Sequence, residues 1–300
     1  MDRRAFLCSS AGALCAAALR EVYGMNLRFR YSSCNEMFEK REFAGVCRTL
    51  KAAGFAGIEI APFTLADSME NISVSRRREL RDIIHSEGLE FAGLHWLLLA
   101  PKWLHVTTAD RQLREKSWAY FSKIIDLCAD LGDKGVMVFG SPKQRGTQGN
   151  SRAEASTLFR DGLASVAPHA GDRGVTILIE SLPSKDTDVV NTLAEAAQMV
   201  REIDHPAIQT MFDFHNTVDE HEPLDKLVRQ YFPLIRHVHI NEMDGRYPGS
   251  GGLDFRPVFR VLADLKYSHW VSVEVFEWKE GPDKVAQATM EFLRGLEKKL

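Results

Sequence analysis

Four side chains able to share a cation stand at nearly regular intervals in the second half of the chain. Glu180, Asp213, His239 and Glu274 are separated by 33, 26 and 35 residues. Each closes a short apolar run: Ile177-Leu178-Ile179, Met211-Phe212, His237-Val238 and Val271-Ser272-Val273. Ionised carboxylates do not gather in a half-buried pocket without positive charge between them. A divalent cation is the economical partner. Three oxygen donors and one imidazole suit Mn²⁺ foremost, with Co²⁺, Mg²⁺ or Zn²⁺ as alternatives, and disfavour thiolate-seeking ions. His237 and His239 share a strand face by the two-residue period, and His239 is the expected ligand because it lies nearer the end of its run. A single strand-end Glu or Asp more often caps a helix or pairs with arginine. Recurrence over four successive runs argues against four unrelated reasons.

The elements that would carry this quartet alternate regularly. Apolar runs at 27–33, 57–60, 90–94, 135–139, 175–179, 208–212, 235–240 and 270–275 read as strands. Stretches of helical period follow each one: up to 53, then 75–87, 110–131, 152–173, 193–203, 223–232, 255–265 and 282–298. Gly54, Gly88, Gly132 and Gly174 punctuate helix ends. Strands that are apolar throughout suit a parallel sheet covered by helices. Eight such units predict an α/β fold, a single (β/α)8 TIM barrel over residues 25–300, with chemistry at the strands' C-terminal ends. A doubly wound open sheet would want a glycine-rich turn after the first strand, and Ser32-Ser33-Cys34-Asn35-Glu36 is not one.

Composition narrows the function classes. The 300 residues are 45% hydrophobic and 26% charged, with formal net charge −3, which offers no global positive field for nucleic acid or anionic membrane. No apolar run is long enough for membrane insertion. Cys8, Cys15, Cys34, Cys47 and Cys128 form neither a zinc-ribbon pair nor a disulfide framework and read as small buried hydrophobes. Residues 1–24 have the layout of an export leader, with Arg3-Arg4 before Phe6-Leu7, a small apolar stretch and Ala16-Ala17-Ala18. The arginine pair is of twin-arginine type and predicts a periplasmic or secreted protein, whereas translation from Met25 would leave it cytoplasmic.

Together the segments Gly57-Ile58-Glu59-Ile60, Thr176–Glu180, Met211–Asn216, His237–Asn241, Asp244–Gly249 and Val273–Phe276 resemble the xylose isomerase-like TIM barrels. That group holds sugar isomerases, ketose 3-epimerases and endonuclease IV. The resemblance implies one divalent metal on Glu180, Asp213, His239 and Glu274. It also implies Glu180 and Glu274 as the acid/base pair of a sugar isomerase or epimerase working through an enediolate. Arg246 sits where the family places a substrate-contacting arginine. Two positions depart from the epimerase pattern: Asp186 replaces a glutamate, and Asn216, preceded by His215, replaces a histidine. Glu59, His95 and Lys143 are further strand-end candidates for substrate contact. Arg145 beside Lys143 would help hold an anionic group, and Glu36 is a weaker candidate. The expected partner is a small sugar, and homo-oligomers through outer helices are compatible with such barrels. A dehydratase using the same proton abstraction is the alternative. An endonuclease IV-like phosphodiesterase is a more distant one.

Overall fold

The computed structural model describes residues 27–300, so the leader assigned to residues 1–24 lies outside the described residues. Eight short strands run β1 (Arg30–Cys34), β2 (Gly57–Ile60), β3 (Glu90–Leu94), β4 (Val136–Phe139), β5 (Thr176–Ile179), β6 (Ile208–Asp213), β7 (Ile235–Ile240) and β8 (Trp270–Val273). All neighbours pair in parallel in chain order, and β1 closes on β8. Between them lie α1 (Phe43–Ala53), α2 (Val74–Ser86), α3 (Arg111–Leu131), α4 (Arg152–Asp172), α5 (Leu193–Ile203), α6 (Leu224–Tyr231) and α7 (Arg256–Asp264), with α8 (Pro282–Glu297) completing the ring. The expected (β/α)8 barrel is therefore present.

Local chemistry sets the boundaries. Ser73, Asp110, Ser151 and Thr192 accept backbone N–H bonds at the starts of α2, α3, α4 and α5, and Ser151 with Glu154 forms a full capping box. Each such cap stabilises by about 1 kcal/mol. Gly54, Gly88 and Gly174 end helices in the left-handed region, with φ of 109°, 75° and 69°. Gly132 instead ends α3 in extended backbone, with φ 177°. The first strand starts three residues later than its apolar run. Arg28 and Phe29 donate their backbone N–H groups to the Glu297 carboxylate of α8 rather than to a neighbouring strand.

An extensive hydrophobic core fills the space between strands and helices. Near the end of β4 it includes Phe139, stacked on Phe121 of α3 at 4.7 Å and edge-on to Phe159 of α4 at 5.0 Å. Inside the barrel the packing is divided. Val136, Val138, Leu178 and Met211 form a small apolar cluster on β4–β6. Ser32, Glu59, His237, His239 and Ser272, carried by β1, β2, β7 and β8, are polar and fully buried. The three described cysteines, Cys34, Cys47 and Cys128, are free and buried, as their apolar surroundings suggested.

Candidate active site at the mouth of the barrel

Strand register brings the quartet together. Asp213 pairs with His239 across β6–β7, and His239 with Ser272 across β7–β8, two residues before Glu274. Glu180 follows directly on β5. One donor atom from each of Glu180, Asp213, His239 and Glu274 lies within 4.8 Å of the others, and all four residues are buried. The expectation of a convergent quartet holds. His239 rather than His237 is the histidine at the quartet, and His237 sits one inward layer deeper and faces Glu59.

Each carboxylate is held by named donors. The Asn216 amide Nδ2 donates to Glu180 Oε1 at 3.0 Å and to Asp213 Oδ2 at 2.8 Å. The backbone N–H of His215 donates to Asp213 Oδ1 at 2.8 Å. Trp96 Nε1 donates to Glu274 Oε1 at 2.7 Å, while Glu274 Oε2 lies 3.1 Å from His239 Nδ1. Burial pushes the Glu180 carboxyl well above the ordinary carboxylate range, and the neighbouring Asp213 and Glu274 charges push it further. Burial raises Asp213 as well. Burial also works to raise Glu274, but His239, His95 and the Trp96 hydrogen bond together outweigh it and hold that carboxyl below its ordinary value. Mutually repelling carboxylates held in place by an amide, an indole and a backbone N–H make a candidate cation site. The donor set, three carboxylates and one imidazole nitrogen, fits a hard or borderline divalent ion.

A cavity of about 360 Å³ opens above this cluster. Glu180 and Glu274 line it from strands three positions apart, as do His95, His215, Asn216 and Asp186. Lys143 lies on its exposed rim. Trp96 and Phe276 form an aromatic wall with ring centroids 6.2 Å apart, and His215 lies 5.0 Å from Phe276. Sequence reasoning passed over Phe276 and over the role of Trp96. The sequence signal available was an aromatic residue two positions beyond β3 and another two residues after Glu274. Trp96 and Ser141, both in the wall, take left-handed backbone conformations with φ of 52° and 45°, strain of a kind that clusters at functional sites.

Three expectations are corrected by the geometry. Glu59 does not line the cavity: it is fully buried within the barrel, accepting from His237 Nε2 at 2.8 Å and His239 Nε2 at 3.1 Å. Burial opposes its ionisation, but the two imidazoles outweigh burial and hold it well below the carboxylate range. Arg246 is turned aside, with Nε on Asp244 Oδ2 at 2.8 Å and one terminal nitrogen on the Ser250 carbonyl at 2.9 Å. Its pairing with a local carboxylate competes with any reach inward. Arg145 points into the protein rather than at a ligand, donating to the carbonyls of Phe139 at 2.9 Å and Glu180 at 2.7 Å. Burial lowers its guanidinium to about 10. Glu36 accepts from His95 Nε2 at 2.9 Å and is buried beside the cavity.

Sequence and fold comparisons converge on one group. A family model described as xylose isomerase-like TIM barrel matches residues 47–296. The chain belongs to the xylose isomerase-like TIM barrel family. The 3-dehydro-D-guloside 4-epimerase of Escherichia coli is 24% identical over 268 residues, 87% of this chain and 97% of that protein. The D-psicose 3-epimerase of Agrobacterium fabrum is 30% identical over 117 residues, 39% of this chain and 40% of that protein. The crystal structure of a 3-keto-D-glucoside 4-epimerase from E. coli has the same fold, with a TM-score of 0.77 at 22% identity over 89% of this chain and 99% of that one.

Proposed function

We propose that this family member is an isomerase: a divalent-metal-dependent sugar epimerase acting on a ketose or keto-sugar, with Glu180 and Glu274 as paired acid and base. The observation that carries the reading is the buried quartet whose two glutamates, alone among its members, line the cavity. Glu180, Asp213, His239 and Glu274 would hold the metal, Mn²⁺ foremost. When bound, a divalent ion supplies Lewis-acid stabilisation of negative charge developing on adjacent substrate oxygens.

The residues of the chain supply the remainder. One glutamate takes the proton from the carbon beside the substrate carbonyl, and the other returns a proton to the opposite face. Trp96 holds Glu274, and Asn216 holds Glu180, so neither carboxylate has to reorient before transfer. The Trp96–Phe276 wall offers an apolar face to sugar C–H groups, while His215, Asn216, Asp186 and His95 offer polar contacts. Lys143 at the rim would contact an anionic substituent on the substrate. The relatives named 3-epimerase and 4-epimerase support the same proton step at different distances from the anomeric carbon. A dehydratase begins with the same abstraction and differs in what leaves next. A phosphodiesterase with several cations is disfavoured, because His95 and His237 each donate to a buried carboxylate, Glu36 or Glu59.

The test incubates Mn²⁺-loaded protein with ketohexoses and with 3-keto-glucosides, and identifies products by NMR. An epimer at the carbon beside the carbonyl supports the proposal. An unsaturated or dehydrated product would transfer the reading to the lyase. Cleavage of phosphodiesters with all sugars left unchanged would overturn it.

A further inference from the structure

A barrel lumen is ordinarily filled by packed apolar side chains, and the β4–β6 half of this one is. The other half instead contains a fully buried carboxylate, Glu59, directly beneath the quartet. Burying a charge costs several kcal/mol unless it is paired and hydrogen-bonded, so an acid in that position calls for a reason. Its contacts supply one. Glu59 Oε1 lies 3.1 Å from His239 Nε2, and Glu59 Oε2 lies 2.8 Å from His237 Nε2. An ionised carboxylate has no proton to give, so the ring nitrogens facing it must both be N–H donors. For His239, this makes Nε2 an N–H donor and turns Nδ1 outward, where it faces carboxylates as well and carries the proton that a cation would displace. There Nδ1 lies 3.1 Å from Glu274 Oε2 and 4.0 Å from Asp213 Oδ2. His237, 5.0 Å away ring to ring, occupies the other carboxylate oxygen and braces Glu59 from the side.

We propose that Glu59 is a positioning residue for the metal site: its carboxylate, braced by His237, fixes the tautomer and orientation of His239 so that Nδ1 faces the acidic quartet. The inference rests on the metal-site reading above and deepens it. A carboxylate behind a ligating imidazole both locks the ring and increases its basicity, and losing such a partner typically costs 10–100-fold in metal affinity. In this arrangement β2 reaches across the barrel to β7 and controls a site to which it contributes no ligand. Glu59 does not line the cavity; besides the two ring nitrogens it holds, its Oε1 lies 3.7 Å from Nδ1 of His95, so its shortest route to the quartet is through His239.

Two measurements test this. The first uses the unaltered chain with ¹⁵N-labelled histidine, loaded with diamagnetic Zn²⁺ or Mg²⁺. His239 should show a protonated Nε2 and an unprotonated Nδ1 whose shift moves when metal is added. Metal on Nε2, or a protonated Nδ1 in the loaded protein, overturns the proposal. The second compares Mn²⁺ affinity in Glu59→Gln, Glu59→Asp and wild type by calorimetric titration, with folding checked by circular dichroism. Glu59→Gln should bind Mn²⁺ at least tenfold more weakly, Glu59→Asp should recover part of the loss, and saturating Mn²⁺ should restore most of kcat. A Glu59→Gln protein that melts earlier yet binds Mn²⁺ as wild type does assigns Glu59 a purely structural role and overturns the proposal. Wild type that binds no divalent ion at all refutes the epimerase reading instead, while the His239 Nε2–H resonance of the metal-free chain, compared between wild type and Glu59→Gln, still decides whether Glu59 holds the ring.

Discussion

At the scale of single residues, the site depends on how closely Glu180 is confined. A Cβ placed on Gly140 would come within 2.2 Å of Glu180 Oε2 and 3.4 Å of its carboxyl carbon. The clash is with the far end of a flexible side chain, so the fold can accommodate it while the carboxylate cannot keep its place. Gly140→Ala should therefore leave the melting temperature within about 2 °C while lowering kcat/KM by roughly 10²-fold, the cost typical of a small misplacement of a reacting group. Thermal melts and steady-state kinetics on the same sample check this, and unchanged kinetics would show that Glu180 has slack. The quartet itself was legible in the sequence because strand ends recur with the βα period. The direction of Arg246 was not, because a loop has no period: Asp244, two residues away, captures the guanidinium. Glu59 was recognised as a strand-end acid but misplaced. Its partners are contributed by β7 across the barrel, 178 and 180 residues away in sequence, a distance no local pattern records.

At the scale of elements, the junction between β4 and β5 is secured by one buried cation. Arg145 ties the last carbonyl of β4 to the carbonyl of Glu180, and its guanidinium lies 5.4 Å from the Phe159 ring of α4. Arg145→Leu leaves the Glu180 carbonyl without a donor and the Phe139 carbonyl with only the Glu180 N–H at 3.5 Å, so a loss of about 1–3 kcal/mol is expected in denaturant unfolding. A loss under 1 kcal/mol would mean that water replaces the guanidinium there. Element boundaries followed from sequence closely where apolar runs met capping residues, as at Leu193–Ile203, whose N-cap is Thr192. They shifted where a side chain claimed backbone groups. Glu297 does so before β1, and the Glu36 carboxylate accepts the Val275 N–H at 3.4 Å just beyond β8. The inward turn of Arg145 had no sequence signal, since a basic residue in a loop ordinarily faces water.

At the scale of the whole molecule, a metal on the quartet would link protons to stability. Glu180 and Asp213 have folded-state carboxyls raised above their ordinary values. Without metal, their contribution is therefore lost as pH rises through the folded values, because ionising them sets like charges against one another. Metal requires the ionised forms, so protons and metal compete. The rise in melting temperature on adding Mn²⁺ should thus be larger at pH 8 than at pH 5.5, and an increment that falls with pH would contradict this account. We propose residues 1–24 as a twin-arginine leader that would deliver the folded barrel across a membrane. Replacing Arg3 and Arg4 with Lys should retain a tagged protein in the cytoplasm, and continued export would remove the twin-arginine reading. The most direct test of the central claim is solvent hydrogen exchange. Protein loaded with Mn²⁺ is incubated with ketoses and 3-keto-glucosides in D₂O, the metal is removed, and proton NMR follows the carbon beside the carbonyl. Exchange that requires metal and falls by at least about 10²-fold in both Glu180→Gln and Glu274→Gln is the predicted result. Exchange that persists undiminished in both variants, or none on any substrate despite stoichiometric metal, would contradict it.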